Sequence, residues 1–416
     1  MFPAPFPIEA MLGKTGAYLI YLLIGFGFGY VLEISGFANS KKLAAQFYFR
    51  DMTVLKVMFT AIVTAMLLIF SATALGLLDF NRIWVNLTYL WPGIVGGLIM
   101  GFGFIIGGFC PGTSLVAVST LKIDGILFAL GVTFGIYVFG ETVTYFEDFW
   151  YSSFMGRFTL PELFGLPTGV VILGVVLMAL FMFWGGEQLE KIFGSKDPSR
   201  APKLRYVGAG AAVVIAVGLV VIGQPTPADK WQQVAAEKQP LLDQREVQIH
   251  PAELLDFIHN DLVEVVMLDM RDESDYNLFH IQDAQLVSPD ELPQLSKELL
   301  QKPSNTLFVV MSNDETRATK AWKILTAESL TNVYILEGGI NYWLDTFNIE
   351  DPAEDNSLTL MPIANAISGD DALHYTFPAA LGAQYPASTP EPHDFDIEYT
   401  PKVKMVVKKA AGGGCG

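Results

Sequence analysis

Cys110 stands in the run Gly107-Gly108-Phe109-Cys110-Pro111-Gly112-Thr113-Ser114, where a long apolar stretch must break. Proline cannot continue the incoming helix, but it suits the first position of the next one. The thiol would then sit at a helix N-terminus. Unpaired backbone N–H groups there favour anions, and the same setting raises a thiol's nucleophilicity. A buried cysteine is most often a small apolar residue. A lone thiol at a helix break inside an apolar span instead points to contact with a substrate. Gly108, Cys110, Gly112, Thr113 and Ser114 are the candidate substrate path, and Glu33, near the end of the first apolar run, joins them. The chain's other cysteine, Cys415, lies one residue from the end in Gly412-Gly413-Gly414-Cys415-Gly416. Flanking glycines make a flexible, uncrowded arm.

These residues need a scaffold, and the composition indicates which one. The 416 residues are 51% hydrophobic, with a mean hydropathy of +0.39. Residues 1–224 are nearly neutral at +1, and residues 225–416 carry −18. This is a hydrophobic half joined to an acidic soluble half. The acidic half argues against nucleic acid, because phosphate backbones need clustered cations. All five histidines lie in the second half, so no histidine-based metal site is expected in the first, and no cofactor is called for. Two distant cysteines form no disulfide framework.

Six segments reach the roughly 20 apolar residues a spanning helix needs: about 15–34, 53–78, 87–109, 125–146, 167–185 and 206–223. Pro3, Pro5, Pro7 and Glu9 before the first run do not read as a cleavable signal. Loops on one side carry Lys41, Lys42, Arg50, Lys122, Lys191, Lys196, Arg200, Lys203 and Arg205. The other side has Lys14, Arg82 and Arg157. The positive-inside rule puts the first set in the cytoplasm, so the acidic half faces the periplasm.

Gly25-Phe26-Gly27-Phe28 recurs as Gly101-Phe102-Gly103-Phe104, 76 positions on. That offset pairs Gly36 with Gly112 and Ile34 with Cys110. Short segments at 39–48 and 113–121, capped by Asn39 or Ser40 and by Thr113, are too short to span. Paired broken helices in corresponding positions mark transporter binding sites. Lys56 and Asp124 are expected at the interface, and Glu33 and Glu141 deeper.

At these residues the chain resembles the YeeE/YedE family of sulphur transporters. The likeness runs over about 15–147, through Leu32-Glu33, Ser35-Gly36-Phe37, Lys42-Leu43-Ala44, Arg50-Asp51-Met52 and Gly107 to Ser114. It implies passage of a sulphur-containing ion along a cysteine-lined path. Thiosulfate importers of the family use more than one cysteine, whereas this half has Cys110 alone.

In the soluble half, Val263 to Met267 and Leu307 to Met311 read as buried strands alternating with helical patterns, an α/β parallel sheet. Residues 246–346 resemble a rhodanese domain through Leu268-Asp269-Met270-Arg271, Tyr276, His280-Ile281 and Leu336 to Trp343. Rhodaneses carry sulphur on a cysteine opening the loop Cys-x-x-Gly-x-Arg-Ser. Here the stretch is Ser312-Asn313-Asp314-Glu315-Thr316-Arg317-Ala318. Arg317 is kept, but a serine cannot form a persulfide, so the domain is expected to be inactive and to dock a partner or hold an oxyanion weakly. The terminal Gly-Gly-Cys-Gly is similar to the end of SoxY-type sulphur carriers, which implies a sulphur-carrying Cys415.

The expected fold is a polytopic α-helical membrane bundle with an internal repeat and re-entrant short helices, followed by a soluble α/β rhodanese-like domain. Expected boundaries are 1–223 for the transporter, 224–245 for a linker, 246–346 for the rhodanese-like domain and 347–416 for an extended tail. The expected function is uptake of a sulphur-containing anion, thiosulfate or sulfane sulphur, by a multi-pass protein of the bacterial inner membrane rather than by an enzyme. Expected partners are that anion, the lipid bilayer and periplasmic sulphur-carrier or sulphur-oxidation proteins. The alternative is a membrane-anchored sulphur carrier or sulfurtransferase working through Cys415.

Overall fold

The computed structural model describes residues 4–6, 8–194, 203–347, 360–364, 369, 371–395 and 397–406. They form two compact units that divide after Gln224. Cys415 and the basic residues Lys196 and Arg200 lie outside the described residues.

Six apolar stretches of the first unit are long enough to cross a membrane. In order the helices are α1 (Ile8–Ile34), α2 (Ser40–Ala44), α3 (Thr53–Ala74), α4 (Leu90–Gly107), α5 (Pro111–Ser119), α6 (Ile123–Thr142), α7 (Glu147–Trp150), α8 (Leu160–Phe164), α9 (Thr168–Phe193) and α10 (Leu204–Ile222). Their outward faces are large and apolar (Phe26, Phe102, Phe134 and Phe181 among them), as lipid-facing surfaces are. One core joins α3, α9 and α10 through Val63, Leu67, Ile172, Val176, Ala216 and Leu219. Gly169 lets the backbones of α9 and α10 close up, since a Cβ there would lie 2.6 Å from the Leu219 carbonyl. Lys56 of α3 pairs with Glu190 of α9 at 2.5 Å, and Glu190 also accepts from the Met52 N–H at 2.6 Å. Lys56, expected to reach for the interface, is therefore tied to a neighbouring helix.

A second core unites the two helix–short helix–helix groups through Phe37, Ala38, Leu43, Val54, Phe109 and Ala117. Each long helix ends on a left-handed glycine, Gly36 (φ 80°) and Gly108 (φ 71°). Each glycine precedes a phenylalanine that is 1% exposed, Phe37 and Phe109. Beyond these turns the short helices start on different caps, Asn39 for α2 and Cys110 for α5.

The second unit is built on a parallel sheet in the order β1-β5-β4-β2-β3: β1 (Gln248–Ile249), β2 (Glu264–Asp269), β3 (Gln285–Leu286), β4 (Thr306–Met311) and β5 (Val333–Leu336). β4 is buried throughout, as a central parallel strand covered on both faces must be. The crossings are α12 (Pro251–Ile258), α13 (Glu273–Leu278), α14 (Leu292–Leu299) and α15 (Thr316–Ala327), and α16 (Gly339–Phe347) follows β5. Two expectations are corrected here. The supposed linker is a helix, α11 (Pro227–Asp243), started by a Thr226–Asp229 capping box. It packs through Trp231 on Trp322 at 5.9 Å and through Lys230 to Glu328 at 2.6 Å. The tail is not a loose extension over its described residues. It holds a short antiparallel pair, β6 (Met361–Pro362) and β7 (Tyr375–Thr376), and then belts the domain. The Trp343 indole donates to the Ala387 carbonyl at 2.8 Å. Buried Glu253 accepts the N–H groups of Lys402 and Val403, both at 2.8 Å. Asn332 accepts that of Val406 at 2.8 Å. Residues 403–406 form no strand.

Candidate functional site

The Cys110 turn is assembled by capping. Cys110, rather than Thr113, is the N-cap of α5. Its Sγ accepts from the Thr113 N–H at 3.4 Å and touches the Thr113 hydroxyl at 3.3 Å. The same hydroxyl accepts from the Cys110 N–H at 2.9 Å, closing a reciprocal capping box. This orients the sulphur at the helix start. Gly112 lies beside it, and a Cβ there would meet nothing within 4 Å. Gly108 is tight instead: its Cβ would come within 3.0 Å of the Ser40 carbonyl. Ser114 is buried and donates to the Pro111 carbonyl at 2.7 Å, so its hydroxyl serves the turn's own backbone.

Neighbouring polar groups tie the two helix groups together. The Ser40 hydroxyl donates to Asp124 at 2.8 Å. Glu33 pairs with Lys122 at 3.7 Å, two residues from Asp124. Glu33 thus belongs to the junction between the groups, beside the capping turn rather than in it. Lys42 folds over Gly36 and donates to the Ser35 carbonyl at 2.7 Å, satisfying an open end of α1. Gly108, Cys110, Gly112, Thr113 and Ser114 therefore share one turn. Sequence reasoning offered Ser40 as a cap and missed its bond to Asp124; it also missed Glu190, which was signalled by a carboxylate closing an apolar helix.

The Ser312 loop leaves β4 and enters α15, and side chains take the N–H groups of Asp314, Thr316 and Ala318. Ser312 is fully buried, and its Oγ accepts the Ala318 N–H at 3.2 Å. Asp314 accepts the Thr316 N–H at 2.6 Å, and Glu315 takes the Gly338 N–H at 2.8 Å. The loop's carbonyls crowd Gly339, where a Cβ would lie 2.1 Å from the Asp314 oxygen, so only glycine fits at its φ of 65°. Arg317 binds Asp272 with both terminal nitrogens, at 2.8 and 2.9 Å, and reaches Asp371 of the tail at 2.9 Å through Nε. The guanidinium holds the Asp272 carboxyl below its usual range. Burial pushes the Asp371 carboxyl up, and the facing Asp314 carboxylate adds to that. Beneath the loop, Asp269 and Arg271 form a fully buried pair at 2.7 Å, and Arg271 also donates to the Phe279 carbonyl at 2.7 Å.

Among the described residues, no group of three or more His, Cys, Asp or Glu side chains is placed to hold a metal ion. The sulphur-transport family pattern matches residues 35–231, and the rhodanese-like domain pattern matches residues 250–346. No curated protein and no solved structure matches the chain. The chain thus joins an apolar helical region of the sulphur-transport (YeeE/YedE) type to a parallel α/β domain of the rhodanese-like type.

Proposed function

We propose that this protein takes up a sulphur-containing anion, thiosulfate or sulfane sulphur, across the bacterial inner membrane along a path that passes the Cys110 turn. One observation carries the reading: a cysteine sulphur caps the N-terminus of α5, beside a glycine whose side-chain direction is open. That arrangement offers an anion the positive end of a helix together with a polarisable sulphur contact. The two helix–short helix–helix groups, linked at Ser40–Asp124 and Glu33–Lys122, supply the paired elements that an alternating-access mechanism would rock. The charge distribution of the loops supports a periplasmic soluble unit. In this reading that unit is a docking module and not a sulfurtransferase, because Ser312 is buried, carries no thiol, and the Thr316 and Ala318 N–H groups are taken by side chains. Cys415 acts as a carrier thiol for periplasmic sulphur proteins. It follows Val406, the last described residue of the belt, by nine positions. A tether of that length spans at most about 30 Å. Its root lies near Asn332 at the start of β5, the end of the sheet opposite Ser312.

The test is uptake of labelled thiosulfate by cells expressing Cys110→Ala at matched membrane abundance. Uptake should fall to background. Undiminished uptake would remove Cys110 from the path.

A further inference from the structure

The tail segment at the Ser312 loop is held as a ligand is held. Asn313 and Asn341 are both almost fully buried, and their amides are directed at tail backbone. Asn313 Nδ2 donates to the Asp371 carbonyl at 2.8 Å. Asn341 donates to the Ala372 carbonyl at 2.9 Å and accepts the His374 N–H at 2.8 Å, reading two polar groups of one short stretch. The Asp371 carboxylate enters between the Asp314 N–H, at 3.2 Å, and Arg317 Nε, at 2.9 Å. The Tyr375 hydroxyl hydrogen-bonds Asp345, and β7 then pairs with β6. Backbone recognition by two amides plus one charge-assisted contact is a peptide-binding arrangement.

We propose that the Ser312 loop and the start of α16 form a binding site for an aspartate-bearing peptide segment that turns at its aspartate, occupied in cis by residues 371–375 of this chain. The buried asparagines read backbone and Arg317 reads the carboxylate. The site goes beyond sulphur transport, since it would operate whatever ion crosses the membrane unit. Tethering keeps the occupant at an effective concentration of the order of millimolar. The site is thus masked until the segment leaves, and the rest of the belt has its own anchor at Glu253 and Asn332.

The test uses the full chain in detergent, as wild type, Asp371→Lys and Asp371→Asn. A fluorescent synthetic peptide of residues 369–377 is titrated in trans, and amide hydrogen exchange is followed at 371–375 and at 399–406. Asp371→Lys should expel the tethered copy from Arg317 and bind the peptide about tenfold more tightly than wild type, the effect expected of one charge-assisted contact. Adding Arg317→Gln should abolish that gain. Where Asp371→Lys loses the near-ultraviolet signal of the buried tryptophans, Asp371→Asn carries the test: exchange at 371–375 should rise with 399–406 unchanged. Equal peptide binding in wild type and Asp371→Lys, unchanged exchange at 371–375, or a parallel rise at 399–406 would each overturn the proposal.

Discussion

The Cys110 turn and the Ser312 loop both open on a helix N-terminus, and they fill it differently. At Cys110 a neutral capping box takes two N–H groups, that of Thr113 on the sulphur and that of Cys110 on a hydroxyl, and the neighbouring Gly112 faces open space. At Ser312 the residue that follows the central strand is buried, and two carboxylates, Asp314 and Asp371, take the Thr316 and Asp314 N–H groups. A carboxylate cap repels an incoming anion, whereas a neutral thiol does not. The difference therefore lies in what caps the helix start.

The comparison can be broken first at Cys110. Cys110→Ser keeps a capping oxygen and should preserve the turn while lowering thiosulfate uptake almost as far as Cys110→Ala does; wild-type uptake would reduce the sulphur to a cap. Next, Arg271→Met leaves Asp269 buried without its partner and should destabilise the soluble unit by about 3–5 kcal/mol. Calorimetry of the soluble-unit transition would register this; an unmoved transition would mean the pair is not what holds the loop's foundation. Gly108→Ala places a side chain at φ 71° against the Ser40 backbone, for an expected cost of about 1–2 kcal/mol. Gly112→Ala meets nothing and should leave stability unchanged, so any fall in its uptake would mark close approach of the substrate. The smallest effect belongs to Ser312→Cys. With the Asp314 and Thr316 N–H groups claimed by carboxylates, it should gain neither a persulfide mass nor thiosulfate sulfurtransferase activity. Either gain would show that the loop lacks only its sulphur atom.

Much of this was legible along the chain. Apolar length alone announced the six spans, because a bilayer demands it. The parallel sheet followed from unbroken apolar strands such as Leu307 to Met311. The thiol at a helix start followed from Cys110-Pro111. The left-handed turns at Gly36 and Gly108 were less legible, because glycine and phenylalanine also recur freely on lipid-facing helices. The polar composition of 225–245 read as linker, since α11 shows its apolar side only through Trp231, Leu241 and Leu242.

The sequence by itself determined the two-unit division, the membrane character of the first unit, the placement of Cys110 at a helix break and the serine, Ser312, that follows the central strand. Each is a property of local composition or of one residue's chemistry. Only the tertiary structure decided that Phe37 and Phe109 share one core, that Lys56 is tied to Glu190, and that Asp371 lies against Arg317. Those pairings join residues far apart in the chain. Each rests on packing and hydrogen-bond geometry that no local pattern encodes.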